Sequence, residues 1–306
     1  MSDNLGARQG GRGPIMAIGG AEDKARERLI LRRFVALAGG PDARIAIVPT
    51  ASGIEDAGQR YKALFLELGA ASAEVAFVAD RADAMEEATA QPLLEATGIF
   101  IGGGNQMRLA TILGGTRFEA AIHARSMAGA VVGGTSAGAS ILSRHMVAFG
   151  ASGNAPKLRM AQLAAGFGLL TEVIVDQHFR ERDRIGRLLT MVALNPAQLG
   201  VGIDEDTAAI FHPDGQLEVL GRGTVMIVDG QRMTSDIALQ TAHHPVNVTD
   251  IILHALANGA RFNLHSRRPL PLPLPKIRPT LAGLALAADE GVGTDLSPPP
   301  PAATLP

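Results

Sequence analysis

The chain has 306 residues, of which 46% are apolar and 19% are charged, so it is long enough to bury a sizeable core. Its net charge of −2, its single tyrosine and its lack of tryptophan give no electrostatic or stacking reason to expect binding to nucleic acid or to an anionic membrane. The absence of cysteine excludes disulfides, thiolate nucleophiles and cysteine-ligated zinc or iron–sulfur centres.

Short apolar runs bounded by turn residues predict buried β-strands at residues 15–20, 45–50, 75–78, 98–102, 130–134, 173–176 and 199–204. Amphipathic stretches between them predict helices at residues 22–37, 54–68, 83–95, 106–113, 117–127 and 182–194. This alternation predicts an α/β fold, in which helices flank both faces of a doubly wound, mostly parallel sheet.

The pattern changes in the last third of the chain. Short strands at 208–211, 217–220 and 224–228 predict a small β-hairpin extension, and Thr249 is a plausible N-cap for a helix at 249–257. Ten of the 18 prolines lie in the last 42 residues. We therefore expect a disordered N-terminus at 1–14, one domain at 15–265, and a Pro-rich low-complexity tail at 266–306. No stretch resembles a signal peptide or approaches the roughly 18 apolar residues of a membrane helix, so we expect a cytoplasmic protein without a membrane partner.

The segment Gly134-Thr135-Ser136-Ala137-Gly138 directly follows a predicted strand and fits the pattern Gly-x-Ser-x-Gly. In that pattern a tight strand-to-helix turn exposes the serine hydroxyl at the sheet edge, and small neighbours let a substrate carbonyl approach the backbone. The pattern predicts Ser136 as a nucleophile and the N–H of Ala137 as an oxyanion donor. The alternative is a glycine-rich turn in which small residues serve packing alone.

A second glycine-rich loop, residues 102–106, follows another predicted strand and so lies at the same edge of the sheet. The N–H groups of its glycines, which include Gly103 and Gly104, can supply a second oxyanion donor. Gln106 can hydrogen-bond a substrate amide or carboxylate. The alternative is an ordinary tight turn between a strand and a helix.

His178 follows the predicted strand at 173–176, and it is the histidine whose position suits a base for Ser136. The predicted strand at 199–204 leads into three acids, Asp204, Glu205 and Asp206. One of them would orient the imidazole, and the residues alone do not choose among the three. A rival hypothesis is a divalent-metal site built from the same acids with Asp176 and His178, although no paired-histidine ligand spacing accompanies them.

Four arginines crowd around the start of the predicted helix at 182–194: Arg180, Arg182, Arg184 and Arg187. Cations at the N-terminal end of a helix oppose its dipole, so their presence there indicates a functional role. Guanidinium groups bind carboxylates well, and this role would be to bind carboxylates of a substrate. The alternative is a solvated face in which they pair with Glu181 and Asp183.

Four blocks, taken in order, resemble those of the cyanophycinases: Ile-Gly-Gly-Gly-Asn-Gln at 101–106, Gly-Gly-Thr-Ser-Ala-Gly-Ala at 133–139, Asp-Gln-His-Phe at 176–179, and Gly-Ile-Asp-Glu-Asp-Thr-Ala at 202–208. The segment Ile-Gly-Gly-Ala-Glu-Asp-Lys at 18–24 is also similar to the opening of that family. The resemblance covers about residues 15–265. It implies an aspartyl-dipeptidase-like serine peptidase with a fold similar to that of class I glutamine amidotransferases.

Carried over by position, the resemblance implies that Ser136 is the nucleophile, His178 its base and Glu205 the orienting acid. It implies an oxyanion hole formed by the N–H groups of Gly103 or Gly104 and of Ala137. Further residues match substrate-binding positions: Gln106, Asp176, Gln177, Arg182, Arg184 and Arg187. The family needs no cofactor or metal and is typically dimeric, so we expect a homodimer.

The implied substrate is cyanophycin, a polyaspartate backbone that carries arginine on each β-carboxyl group. Such enzymes cut the backbone through an acyl-enzyme and release β-aspartyl-arginine dipeptides. An α-aspartyl or isoaspartyl dipeptidase that acts on short peptides is the alternative. A non-catalytic binding homologue and a metal-dependent hydrolase are further alternatives.

Overall fold

A nine-stranded sheet forms the centre of the part of the chain that the computed structural model describes, residues 11–241 and 244–271. Its parallel strands lie in the order β3 (Ser72–Val75), β2 (Arg44–Val48), β4 (Gly98–Ile101), β5 (Val131–Thr135) and β1 (Ile15–Ile18). Antiparallel strands extend it beyond β1: β10 (Thr207–Phe211), β11 (Gln216–Gly221), β16 (Arg261–Asn263) and β17 (Arg268–Pro269). The α/β fold with a mostly parallel central sheet is therefore confirmed.

Four other strands form a second sheet, in the order β15 (Ile252–Leu256), β12 (Val225–Asp229), β9 (Leu199–Ile203) and β8 (Val173–Gln177). Two hairpins join β6 (His145–Gly150) to β7 (Ala161–Ala165) and β13 (Thr234–Ser235) to β14 (Val248–Thr249). The sequence assigns β8 and β9 to the central parallel sheet, whereas the structure gives them a sheet of their own. The strand β1 pairs with β5 on one side and with β10 on the other, so neither of its edges is free to pair with β8 or β9.

Helices cover both faces of the central sheet. They are α1 (Leu29–Ala38), α2 (Ala57–Glu67), α3 (Gln91–Leu94), α4 (Gln106–Leu113), α5 (Arg117–Met127) and α6 (Ala137–Ser140), whereas α7 (Ile185–Leu194) packs against the second sheet. In β1, Ile15 and Ala17 belong to the core that α4 and α5 complete, while Met16 and Ile18 belong to the core that α1 and α2 complete. All four side chains are at most 1% exposed. A strand covered on both faces has no polar positions, which explains its unbroken apolar run.

The predicted helix at 249–257 is wrong, because residues Ile252–Leu256 form the strand β15. This strand is antiparallel to β12 and stands at one edge of the second sheet. Its residues alternate between half-buried and exposed over the first four positions, as expected for a strand with one covered face. Pairing with β12 therefore outweighs the local helical pattern.

Four predicted helices begin later than expected, and one of them, predicted at 54–68, starts at Ala57. The first starts at Leu29, because the Asp23 carboxylate accepts the backbone N–H groups of Ala25, Arg26 and Arg28 and holds an irregular loop. The helix predicted at 182–194 starts at Ile185. The one predicted at 83–95 is two 3₁₀ turns, Asp83–Met85 and Ala88–Ala90, followed by the short α3. Proline at the start of α3 suits a first turn but not a helix interior.

The third strand lies at Ser72–Val75, just before its predicted position at 75–78. The described part of the chain ends at Pro271, so it includes the first six residues of the predicted tail. Two of these residues, Arg268 and Pro269, form the strand β17. The rest of that tail, and residues 1–10 of the predicted disordered N-terminus, lie outside the described residues. Among the helices that are described, none is long and apolar enough to cross a bilayer.

Candidate active site

Three side chains that are far apart in the sequence form a hydrogen-bond chain where β5, β8 and β9 end. Ser136 Oγ lies 2.9 Å from His178 Nε2, and His178 Nδ1 lies 2.6 Å from Glu205 Oε1. With its proton on Nδ1, the imidazole donates to Glu205 and accepts from the serine hydroxyl. This is the arrangement in which a serine can be deprotonated as it attacks.

Ser136 sits at the junction between β5 and α6 in a conformation that L-residues rarely adopt, with φ 53° and ψ −112°. The two flanking glycines are required by close approach. A Cβ on Gly134 would overlap the carbonyl oxygen of Gly138, and a Cβ on Gly138 would overlap that of Ile101. The Gly-x-Ser-x-Gly spacing therefore builds the strained turn that presents the hydroxyl.

His178 is held from two directions. The backbone N–H of His178 donates to the carbonyl oxygen of Gly19 at 2.8 Å, and the residue has a φ of 46°. Gly20 lies against the imidazole ring, where a Cβ would overlap the ring atoms. These contacts fix the side chain between Ser136 and Glu205.

Glu205 is the acid that reaches the imidazole because its two neighbours are engaged elsewhere. Asp204 accepts from the backbone N–H and the hydroxyl of Thr224, at 2.9 and 2.8 Å. Asp206 forms an ion pair with Arg222 at 2.9 Å. The backbone N–H of Glu205 donates to Glu181 Oε2 at 3.1 Å. The three consecutive acids thus point to three different partners.

Burial lowers the pKa of His178 below its usual value. The hydrogen bond to Glu205 acts in the opposite direction, and the positive charge of Arg182 lowers the pKa further. The imidazole is therefore neutral near pH 7 and able to accept a proton.

The glycine loop after β4 lies beside the nucleophile. A Cβ on Gly103 would stand 3.2 Å from the Cβ of Ser136, and its N–H has no acceptor within the described residues. Gly104 has a φ of 142° and packs against the carbonyl group of Ala51. Ala137 is the first residue of α6, so its N–H has no intrahelical acceptor. The position of Gly103 beside Ser136 and the first-turn position of Ala137 suit N–H donors to a substrate carbonyl that Ser136 attacks, and this role stays a prediction.

A cavity of about 660 Å³ opens at Ser136 and His178. Its other walls come from Gly103, Thr135, the loop after β1 and helix α2. Charged and aromatic residues line it: Glu22, Lys24, Arg28, Arg60, Tyr61 and Glu67. Sequence reasoning assigned none of these to the site, although the block at 18–24 contains two of them.

Glu22 is the most buried charged group in this cavity wall, with 3% of its surface exposed. It accepts hydrogen bonds from the hydroxyls of Tyr61 and Thr135 and pairs with Lys24 Nζ at 2.8 Å. Burial and the charge of Glu22 raise the pKa of Tyr61 far above its usual value, so the phenol stays protonated and donates.

Four of the predicted substrate-binding residues form a buried cluster that does not line this cavity. Asp176 is fully buried and pairs with both Arg184 and Arg187. Arg187 Nε lies 2.6 Å from Asp176 Oδ2. Arg184 also donates to the carbonyl oxygen and side-chain oxygen of Gln177, the residue before His178. The cluster thus holds the end of β8 that carries the base.

The other two predicted substrate-binding residues are more accessible. Gln106 is half-buried and donates from Nε2 to the carbonyl oxygen of Ala148 at 2.6 Å. Arg182 is exposed and close enough to His178 for its charge to act on the imidazole. Neither lines the cavity at Ser136. Substrate binding by all six residues stays a prediction.

The acids of the rival metal hypothesis are divided among separate ion pairs and hydrogen bonds. In the described ranges 11–241 and 244–271, no three histidine, aspartate or glutamate side chains are grouped so that they could hold a metal ion. His178 and Glu205 contact each other, and Asp176 lies in the arginine cluster.

Comparisons with known proteins identify relatives of this chain. The model of peptidase family S51 matches residues 15–220. A cyanophycinase from Synechococcus elongatus is 43% identical over 262 residues, which are 85% of this chain and 81% of that protein. A cyanophycinase from Geminocystis herdmanii is 42% identical, over 85% of this chain and 96% of that protein. The resemblance seen in the sequence motifs is confirmed.

A solved structure of a peptidase from an acI-B1 Actinobacterium is also similar, with a TM-score of 0.57 and 23% identity. The match covers 80% of this chain and 98% of that chain. At this identity the similarity concerns the fold alone.

Proposed function

The chain belongs to peptidase family S51, and from that premise we propose that it hydrolyses cyanophycin to β-aspartyl-arginine dipeptides with Ser136 as its nucleophile. The observation that carries the proposal is the hydrogen-bond chain from Ser136 Oγ through His178 to Glu205, with links of 2.9 and 2.6 Å. Relatives that are 42 and 43% identical and are named cyanophycinase support the choice of substrate.

The reaction follows from the positions of these groups. His178 Nε2 takes the Ser136 proton as Oγ attacks the scissile carbonyl carbon, and the N–H groups of Gly103, or Gly104, and Ala137 stabilise the resulting oxyanion. Glu205 stabilises the imidazolium, which then protonates the leaving amine. Water, deprotonated by the same imidazole, hydrolyses the acyl-enzyme and frees Ser136.

The charges around Ser136 support a substrate that carries both signs. Each arginine attached to the cyanophycin backbone presents a free α-carboxylate and a guanidinium group. The cavity offers cations from Lys24, Arg28 and Arg60 and an accessible carboxylate from Glu67. Among the six residues predicted to bind substrate, the exposed Arg182 is the best placed to meet a ligand directly.

We also propose that the protein is cytoplasmic and forms a homodimer. The first is the expectation stated from the sequence, and the second rests on the resemblance to cyanophycinases. Sedimentation of the purified chain tests the second, and a molecular mass of one chain would refute it.

Mass spectrometry of the products from purified protein and cyanophycin tests the main proposal. We expect β-aspartyl-arginine from the wild type, and a loss of turnover of about 10⁶-fold in Ser136→Ala with its melting temperature retained. Cleavage of short aspartyl peptides without cleavage of the polymer would instead identify a dipeptidase. Near-normal activity in Ser136→Ala would refute the serine mechanism, and activity lost to EDTA and restored by a divalent ion would favour a metal-dependent hydrolase. No turnover of any of these substrates by the wild type would favour a non-catalytic binding homologue.

A further inference from the structure

The loop between β1 and α1 places a buried carboxylate next to the nucleophile, in a position that the triad does not use. Glu22 Oε2 accepts the hydroxyl of Thr135, the residue before Ser136, at 2.5 Å. The hydroxyl of Tyr61 donates to the other oxygen of Glu22. Because the Glu22 side chain is 1% exposed and fully hydrogen-bonded, it is closed to a substrate.

Lys24 is held by this carboxylate and remains accessible. Its Nζ lies 2.8 Å from Glu22 Oε1 and 3.3 Å from the Glu22 carbonyl oxygen, and 5.5 Å from the centroid of the Tyr61 ring. An ammonium group has three N–H donors, so one is left for a ligand. The Lys24 side chain is 47% exposed and lines the cavity that contains Ser136.

The backbone that carries Lys24 is fixed to the catalytic loops. Asp23 accepts the N–H groups of Ala25, Arg26 and Arg28 at 2.9 to 3.0 Å, which closes the turn around Lys24. The N–H of Asp23 donates to Asp206 Oδ1 at 2.8 Å, next to the catalytic Glu205. The ammonium is thus preorganised, which reduces the entropy lost when it binds a ligand.

We propose that Lys24 recognises a free carboxylate of the substrate beside the scissile bond, and that Glu22 and Tyr61 are positioning residues that hold its ammonium in the cavity. The inference rests on the proposed function, in which the arginine attached to each backbone aspartate has a free α-carboxylate. Lys24 is a specificity-determining residue for that carboxylate.

The other cations of the cavity wall are less suited to this role. Arg28 pairs with Glu67 at 2.7 Å, and Arg60 pairs with Asp56 at 2.9 Å. Lys24 shares its carboxylate with two hydroxyls, and one of these belongs to Thr135, the residue before Ser136.

The test uses two forms of one short synthetic segment of the polymer, with the arginine carboxylates free or converted to carboxamides. We expect the wild type to prefer the free carboxylate by about tenfold or more in kcat/KM, since a charge-assisted hydrogen bond is lost in the carboxamide. Lys24→Met should lower kcat/KM for the carboxylate form to a similar extent, mainly through KM, and lower it much less for the carboxamide form. Lys24→Arg should retain much of the preference. Glu22→Gln should raise KM for the carboxylate form with little change in kcat.

Lys62→Met is the matched control, because it removes a lysine of α2 that does not line the cavity. Labelling of Ser136 by a fluorophosphonate and the melting temperature show whether Lys24→Met keeps its site and fold. Should Lys24→Met not fold, Lys24→Arg and the wild-type preference still decide: a wild type that cleaves both forms equally refutes the role of Lys24. An unchanged preference in folded Lys24→Met also refutes it. A wild type that cleaves neither form refutes the proposed function, and the inference falls with it.

Discussion

The two sides of the Ser136–His178 pair carry similar charged residues that differ in what they contact. On the β8 side, Asp176 is fully buried and its carboxylate is saturated by Arg184 and Arg187. On the loop side, formed by residues 21–28 and α2, Lys24 is half exposed at a cavity of about 660 Å³. A saturated buried charge fixes the backbone around it, whereas an exposed charge at a cavity can bind a ligand. The charged residues of the β8 side therefore hold the backbone in place, whereas those of the loop side can bind the substrate.

Removing the negative charge of Asp176 on the β8 side should have the largest effect, and this effect is on stability. Asp176→Asn leaves the guanidinium groups of Arg184 and Arg187 buried without their countercharge, and we expect it to lower the free energy of unfolding by about 3–5 kcal/mol. Chemical denaturation measures this loss. The control is Asp56→Asn, which breaks the exposed pair with Arg60 and should cost under about 1 kcal/mol. If Asp176→Asn keeps its stability and loses only kcat/KM, Asp176 is a substrate contact and the comparison is wrong.

A smaller effect is expected at Gly20, which directly precedes the loop side and lies against the His178 ring. Gly20→Ala puts a Cβ into the space of the imidazole, at a φ of 99° that disfavours alanine. A displacement of about 1 Å in a catalytic group costs on the order of 10²-fold, and we expect such a loss in kcat. Gly69→Ala is the control, because Gly69 has a φ of 89° with no atom near the added Cβ. It should lose stability from backbone strain and keep its kcat, and an equal loss of kcat in both variants would contradict the explanation.

The smallest effect concerns the charge of Arg182, which acts on the imidazole of His178. Arg182 lowers the pKa of His178, so Arg182→Gln should raise that pKa. Activity requires the neutral imidazole, and the acidic limb of the kcat/KM profile should therefore move to higher pH in the variant. In the wild type this limb should lie below the usual range for histidine, because burial lowers the pKa. A limb that moves to lower pH would show that Arg182 does not act on His178 through its charge.

Patterns that depend on burial alone were predictable from the sequence. The unbroken apolar runs located β1, β2, β4 and β5, and the glycines around Ser136 indicated a tight turn at the end of β5. The position of His178 followed from the rule that ligands meet parallel strands at their carboxyl ends.

Features that depend on distant partners were not predictable. Asp204, Glu205 and Asp206 are adjacent in the sequence, and their directions are set by Thr224 and Arg222. The late start of α1 depends on the carboxylate of Asp23, and β15 depends on pairing with β12. The burial of Asp176 with Arg184 and Arg187 was not predictable either, because the run of arginines at the start of the predicted helix fits a solvated helix face equally well.

The rate at which a fluorophosphonate modifies Ser136, followed by mass spectrometry of the modified peptide, tests the central claim most directly. If His178 activates Ser136, the wild type should be labelled at Ser136, and His178→Gln should be labelled at least about 10³-fold more slowly with its fold retained. Labelling at another residue, or at Ser136 with the same rate in both proteins, would contradict the claim that the two side chains act together.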